Sequence, residues 1–203
     1  EGTVFTRHVA SNPVCMPSRA SLMTGLYPQG HNVWSNGVAL PRAEYADTRE
    51  GHCGFTGLLP EPPTLADAFA AAGYRTAGFG KFHLTPFWAP DSYAYPESQP
   101  LQEAGRFRDW RGPYYGFEHV EVMVSHGEIP PGPYADWLAA EHPDVLAAAR
   151  ELHADSDYPN PGAKDLHASD IPTALHPSAW LGDRASDYLR RRAADDEPFL
   201  CFV

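Results

Sequence analysis

The sequence predicts an α/β fold with a mostly parallel central sheet and helices on both faces. Two stretches carry this expectation, Thr64 to Phe79 and Ser178 to Val203, each reading as an amphipathic helix that runs into an apolar strand. Parallel neighbours need a crossover connection, so repeated helix-then-strand units are what a parallel sheet is built from. A third observation is composition: of 203 residues 43% are hydrophobic and 12% aromatic, enough apolar surface for a packed core.

The elements follow in chain order. Gly2-Thr3-Val4-Phe5-Thr6 alternates as a strand does. Pro17 to Thr24 reads as a short helix, with proline near its first turn and Gly25 where a left-handed C-cap is expected. In Thr64-Leu65-Ala66-Asp67 a hydroxyl precedes a carboxylate by three positions, the signature of a capped helix start, and Leu65, Ala68, Phe69 and Ala72 form one apolar face before Gly73. Tyr74 to Phe79 follows as a strand.

Leu84 to Pro133 is rich in proline and in aromatics such as Phe87, Trp88, Tyr93 and Tyr114, and reads as a long ordered excursion. Within it Phe117 to Ser125 alternates as an edge strand would. Tyr134 to Leu152 is helical in pattern but broken at His142-Pro143. Ser178 to Ala194 places Leu181, Ala185, Tyr188 and Leu189 on one side of a helix, and Pro198 to Val203 is a run of buried-strand type. Both ends read as cut, so the expectation is an internal piece of one domain, incomplete at each end.

Charge and cysteine content exclude several classes. A formal net charge of −11 offers no basic field for a polyanion, so no nucleic-acid partner is expected. No run reaches the roughly 18 to 20 apolar residues of a membrane helix, so no membrane association is expected either. Cys15, Cys53 and Cys201 are scattered, which argues against a disulfide scaffold or a zinc ribbon. Localisation is left open.

The chemistry is concentrated in two short stretches. Cys15 precedes a helix start, where unpaired N–H groups and the helix dipole favour an anion, and Arg19 lies one turn further on, within reach of it. Alone, Cys15 reads equally well as a structural thiol. Lys81 and His83 follow the strand ending at Phe79, and in extended geometry they project to one face at the end of the strand where open α/β sheets bind ligands. Each alone reads more readily as a solvated charge or a structural histidine; it is the four together that point to a site.

The run Cys15-Met16-Pro17-Ser18-Arg19-Ala20-Ser21-Leu22-Met23-Thr24-Gly25 resembles the signature of the type I, formylglycine-dependent sulfatases. Gly73-Tyr74-Arg75-Thr76-Ala77-Gly78-Phe79-Gly80-Lys81-Phe82-His83-Leu84 resembles that family's second signature, with Phe82 where many members have Trp. The resemblance implies an alkaline-phosphatase-like sandwich and hydrolysis of a sulfate monoester. It also implies that a formylglycine-generating enzyme oxidises Cys15 to formylglycine, whose hydrated gem-diol attacks sulfur with one oxygen and expels sulfate with the other. Arg19 would then hold the diol, Lys81 would bind the sulfate oxygens, and His83 would relay the diol proton.

A divalent cation, calcium ahead of magnesium, belongs to the same implication, with modified Cys15 as its one nameable ligand here. The family's paired aspartates and its Asp-Asn pair fall outside residues 1–203, so the piece alone is expected to be inactive and to bind calcium weakly. The implied substrate is a small aryl, alkyl or sugar sulfate. Two other readings stay open: a phosphonate or phosphodiester hydrolase of the same superfamily, and a silent binding protein in which Cys15 is never converted. His31, His126, His153, His167 and His176 read as surface or structural groups, His126 lining a pocket only if the excursion folds over the site.

Overall fold

In the computed structural model residues 2–45, 61–154 and 169–203 are described, the side chains of 152–154 excepted. The elements in order are α1 (Cys15–Thr24), α2 (Pro28–His31), α3 (Leu65–Ala71), β1 (Arg75–Gly80), α4 (Gln99–Glu103), β2 (His119–Val122), α5 (Pro133–Glu141), α6 (Pro143–Ala154), α7 (Pro177–Arg192) and β3 (Phe199–Phe202). The strands form one parallel sheet in the order β2-β1-β3. Register pairs Gly80 with Val122 and Gly78 with Phe202. Among the described residues no helix is long and apolar enough to cross a membrane.

Alternation along the strands divides the core between two faces. Ala77 and Phe79 of β1 and Cys201 of β3 pack with Ala185 and Tyr188 of α7. On the opposite face Leu200 and Phe202 join Met16 and Ala20 of α1, Ala66 of α3, and Phe82, Phe117, Val120 and Val122. Helices thus cover both faces, as expected of strands whose two sides are both apolar. Gly78 is required by this packing: a Cβ there would lie 2.3 Å from Cζ of Phe82.

Several local expectations hold. Gly25 is left-handed with φ +70 and closes α1 through its N–H to the Ser21 carbonyl. Thr64 and Asp67 form a capping box at α3, and Arg42 donates to Asp67 at 2.5 Å. The helical pattern breaks at Pro143 into α5 and α6. His176 caps α7, its Nδ1 accepting from the Ser178 N–H.

Other expectations are corrected. Residues 2–6 form no strand, and Val4 and Phe5 are exposed, because no neighbouring strand among the described residues pairs with them. In α3 the buried residue is Ala66, whereas Ala68, Phe69 and Ala72 are exposed: this two-turn helix packs through its capped first turn rather than along the predicted stripe. In α7 the predicted side holds at Leu181, Ala185 and Tyr188, whereas Leu189 is 37% exposed and Trp180, outside that side, is buried with Tyr134 and Leu138 of α5 in a separate cluster. Strand β3 is half-buried rather than buried, with β1 as its only strand neighbour among the described residues. Cys53 and His167 and the side chain of His153 lie outside the described residues.

Candidate active site

Helix α1 starts at Cys15, two residues earlier than the sequence suggested, so the cysteine sits in the first turn. Pro17 has no N–H, and the Met16 N–H donates to Asn36 Oδ1 at 3.0 Å. Asn36 thus anchors this turn, a role no sequence pattern announces. The α1 face behind it is held by His31: Nδ1 accepts from the Val33 N–H, so Nε2 carries the proton and donates to the Ser21 hydroxyl at 2.9 Å. Burial lowers the His31 pKa, in keeping with a neutral, structural ring.

Arg19 projects from α1 to the end of β1, where its Nη1 donates to the Lys81 carbonyl at 2.5 Å. This bond joins the two sequence motifs directly. Lys81 and His83 are not extended as predicted, because β1 stops at Gly80 with φ +105 and His83 is itself left-handed with φ +53. They still meet, now around one ring: the His83 imidazole stacks on Phe87 with centroids 3.7 Å apart, and Lys81 Nζ lies 5.2 Å from the same ring's centre.

Glu97 makes the His83 turn possible. This carboxylate is fully buried; Oε1 accepts from the His83 N–H, and Oε2 accepts from the N–H groups of Leu84 and Thr85 at 2.7 and 3.1 Å and from the Tyr114 hydroxyl at 2.6 Å. Burial pushes the Glu97 pKa up, opposed by those donors. A single glutamate inside a proline-rich excursion looks solvated in the sequence, and its partners are backbone groups that no motif displays.

His126 is a third residue whose role the sequence does not display. It lies 2.9 Å from Lys81 Nζ through Nε2, which therefore accepts when Lys81 is charged. Topology explains the meeting. Because β2 runs parallel beside β1, with the Met123 N–H donating to the Gly80 carbonyl at 2.9 Å, the loops after both strands emerge at the same sheet end. A cavity of about 360 Å³ opens there, bordered by Asn36, His83, Phe87, Trp88, Ser125 and His126.

The electrostatics follow from this crowding of cations. Burial lowers the Lys81 pKa and Arg19 adds to the effect, while Cys15 and Glu97 oppose it. Burial together with Lys81, Arg19 and His126 drives the His83 pKa down to about 3, so the imidazole is neutral near pH 7. Its Nδ1 is buried without a hydrogen-bond partner. The arrangement is a half-buried thiol at a helix start, two cations beside it, and a neutral imidazole able to take a proton. Among the described residues no cluster of three or more His, Cys, Asp or Glu could hold a metal ion, so these residues alone do not make up a cation cage.

Known proteins align with this picture. The chain is 30% identical over all 203 residues to the ulvan-active sulfatase of Formosa agariphila, spanning 28% of that protein's length. It is 38% identical over 88 residues to the steryl-sulfatase of Mus musculus, an overlap of 41% of this chain and 12% of that one. The crystal structure of the phosphonate monoester hydrolase of Agrobacterium radiobacter superposes with a TM-score of 0.51 at 25% identity, over 98% of this chain and 32% of the other. That likeness agrees with the expected alkaline-phosphatase-like α/β architecture. The family model described as Sulfatase matches residues 1–203, from end to end, and the chain belongs to the sulfatase family.

Proposed function

We propose that the protein hydrolyses a sulfate monoester at the Cys15 cluster, after Cys15 has been converted to formylglycine by a formylglycine-generating enzyme. The observation that carries this reading is the Arg19 to Lys81 bond, which brings both sulfatase-like motifs to one place. A hydrated aldehyde at position 15 would supply an oxygen nucleophile for sulfur and a second hydroxyl to release the product, which a serine alcohol lacks.

The chain's own residues supply the rest. Lys81 offsets the charge of the sulfuryl oxygens while Arg19 holds the diol and offsets its charge, the larger share of such catalysis when donors are already in place. A neutral His83 accepts the proton that a position-15 hydroxyl gives up; an imidazolium could not. A divalent cation, calcium ahead of magnesium, is part of the proposal with residue 15 as one ligand. Its remaining ligands would come from outside the described residues, and no step here depends on it.

The experiment is made on the protein expressed over its whole natural reading frame, in a host that carries the modifying enzyme. Intact-mass analysis of the peptide containing residue 15 should show the aldehyde, and Cys15→Ala should abolish turnover of an aryl sulfate. Full activity in Cys15→Ala, or an unmodified thiol in active enzyme, would end this reading. A second reading, phosphonate or phosphodiester hydrolysis, is favoured by the likeness to the phosphonate monoester hydrolase. Parallel assays on aryl sulfate and aryl phosphonate esters separate the two.

A further inference from the structure

The cavity beside His83 has a composition that selects for one kind of ligand body. Its wall from Pro86 to Pro90 is a run of apolar and aromatic side chains, faced by Asn36, Ser125 and His126. Among the described residues, none lining it is Asp, Glu, Lys or Arg. At about 360 Å³ it is at the small end of ligand pockets, room for one or two rings. Trp88 lines the cavity and is 72% exposed. His83 belongs both to this cavity and to the cation cluster, and Asn36 ties the opposite wall to the start of α1.

We propose that this cavity is the leaving-group subsite and that it accepts an uncharged ring, with Trp88 as the stacking wall. The inference rests on the sulfate-ester reading for the position of the anionic end, which would face Lys81 and Arg19 while the ring extends past His83. An uncharged ring gains from Phe87, Trp88 and the prolines and needs no counter-charge. A polyanionic sugar chain would find no Lys or Arg in this lining to offset its charges. Aromatic walls stack both aryl rings and the faces of neutral sugars, so the two sources share the chemistry claimed here.

Binding can be measured apart from turnover, which keeps the test independent of the sulfate-ester reading. Calorimetry and ligand-observed NMR on the whole-frame protein use 2-naphthol, methyl β-glucoside and a multiply sulfated oligosaccharide as probes. At least one uncharged ring should bind, and Trp88→Ala should weaken it by about tenfold, the scale of one aromatic stacking contact with its buried area. Trp88→Phe should restore most of the affinity, and Tyr27→Ala, at an exposed ring outside the cavity, should leave it unchanged. Thermal melts confirm that the exposed-site variants are folded. Binding of 2-naphthol alone assigns an aryl body, and binding of the glucoside alone a neutral sugar. Absence of binding by both rings, indifference to Trp88→Ala, or a sulfated oligosaccharide that binds through Trp88 would overturn the proposal. Loss of sulfate-ester turnover with ring binding intact would instead count against the function proposed above.

Discussion

Replacing Glu97 tests whether the His83 turn is built or incidental. Five donors converge on this carboxylate, the N–H groups of His83, Leu84 and Thr85 and the hydroxyls of Thr85 and Tyr114, and the side chain is fully buried. In Glu97→Ala each donor would be buried without an acceptor at about 1–3 kcal/mol apiece, a total comparable with the ~5–15 kcal/mol that holds a domain folded. That variant is expected not to fold, so the informative one is Glu97→Gln. Its amide oxygen can stay where Oε2 stands and keep Leu84, Thr85 and Tyr114, but its NH2 then meets the His83 N–H. One lost bond and one donor-on-donor contact should cost about 1–3 kcal/mol, read as a drop in Tm of roughly 2–4 °C per kcal/mol. The turn at His83, left-handed at φ +53, is the part released. We expect kcat on an aryl sulfate to fall by about 10- to 100-fold with KM little changed, since small misplacement of a proton acceptor costs that much. A Glu97→Gln protein with wild-type Tm and wild-type kcat would refute the reasoning.

The remaining predictions concern charge, packing and capping. His83 has its pKa near 3 in the fold against 6.5 in the unfolded chain, so between those values the unfolded state binds a proton that the native site refuses, and stability should fall as pH drops through that window. Urea titrations from pH 4 to 7 should show a steeper slope in wild type than in His83→Gln; equal slopes would show that His83 is not held neutral. Gly78→Ala places a methyl 2.3 Å from Phe82 Cζ and should destabilise by about 1–3 kcal/mol, with partial relief in the Gly78→Ala, Phe82→Leu double variant. Additive effects in that cycle would count against the clash. Asp67→Ala removes the reciprocal cap on Thr64 and the partner of Arg42, and thermal unfolding should register about 1–2 kcal/mol. A loss within measurement error would mean that the capping box is not what fixes the start of α3.

Legibility in the sequence followed the range of the forces involved. Capping and turn chemistry acts over a few residues, so Thr64 with Asp67, Gly25, and the break at Pro143 could all be read from spacing alone. Which stripe of a helix is buried depends on what lies opposite. That is why Phe69 and Leu189, apolar and well spaced, each stay 37% exposed while Trp180 is buried against α5. The sequence brings Lys81 and His83 together as alternate residues of an extended strand, and the structure brings them together for another reason. The strand ends at Gly80, and the pair meets because the chain turns around Phe87 under the hold of Glu97.

His126 shows what topology adds to such a reading. Its distance from Lys81 in sequence is 45 positions, and no local pattern links them. Once β2 is known to lie parallel beside β1 with Gly80 opposite Val122, the residues that follow each strand must leave at the same edge. There the positive groups of the two motifs are gathered, and an imidazole arriving on the neighbouring loop meets Lys81 Nζ at 2.9 Å. Register thus decides the membership of the site. Sliding β2 by two residues along β1, the smallest shift that keeps its Val120 and Val122 face in the core, would move that loop by about 6.6 Å, twice the rise of one strand residue, which is more than the length of the hydrogen bond.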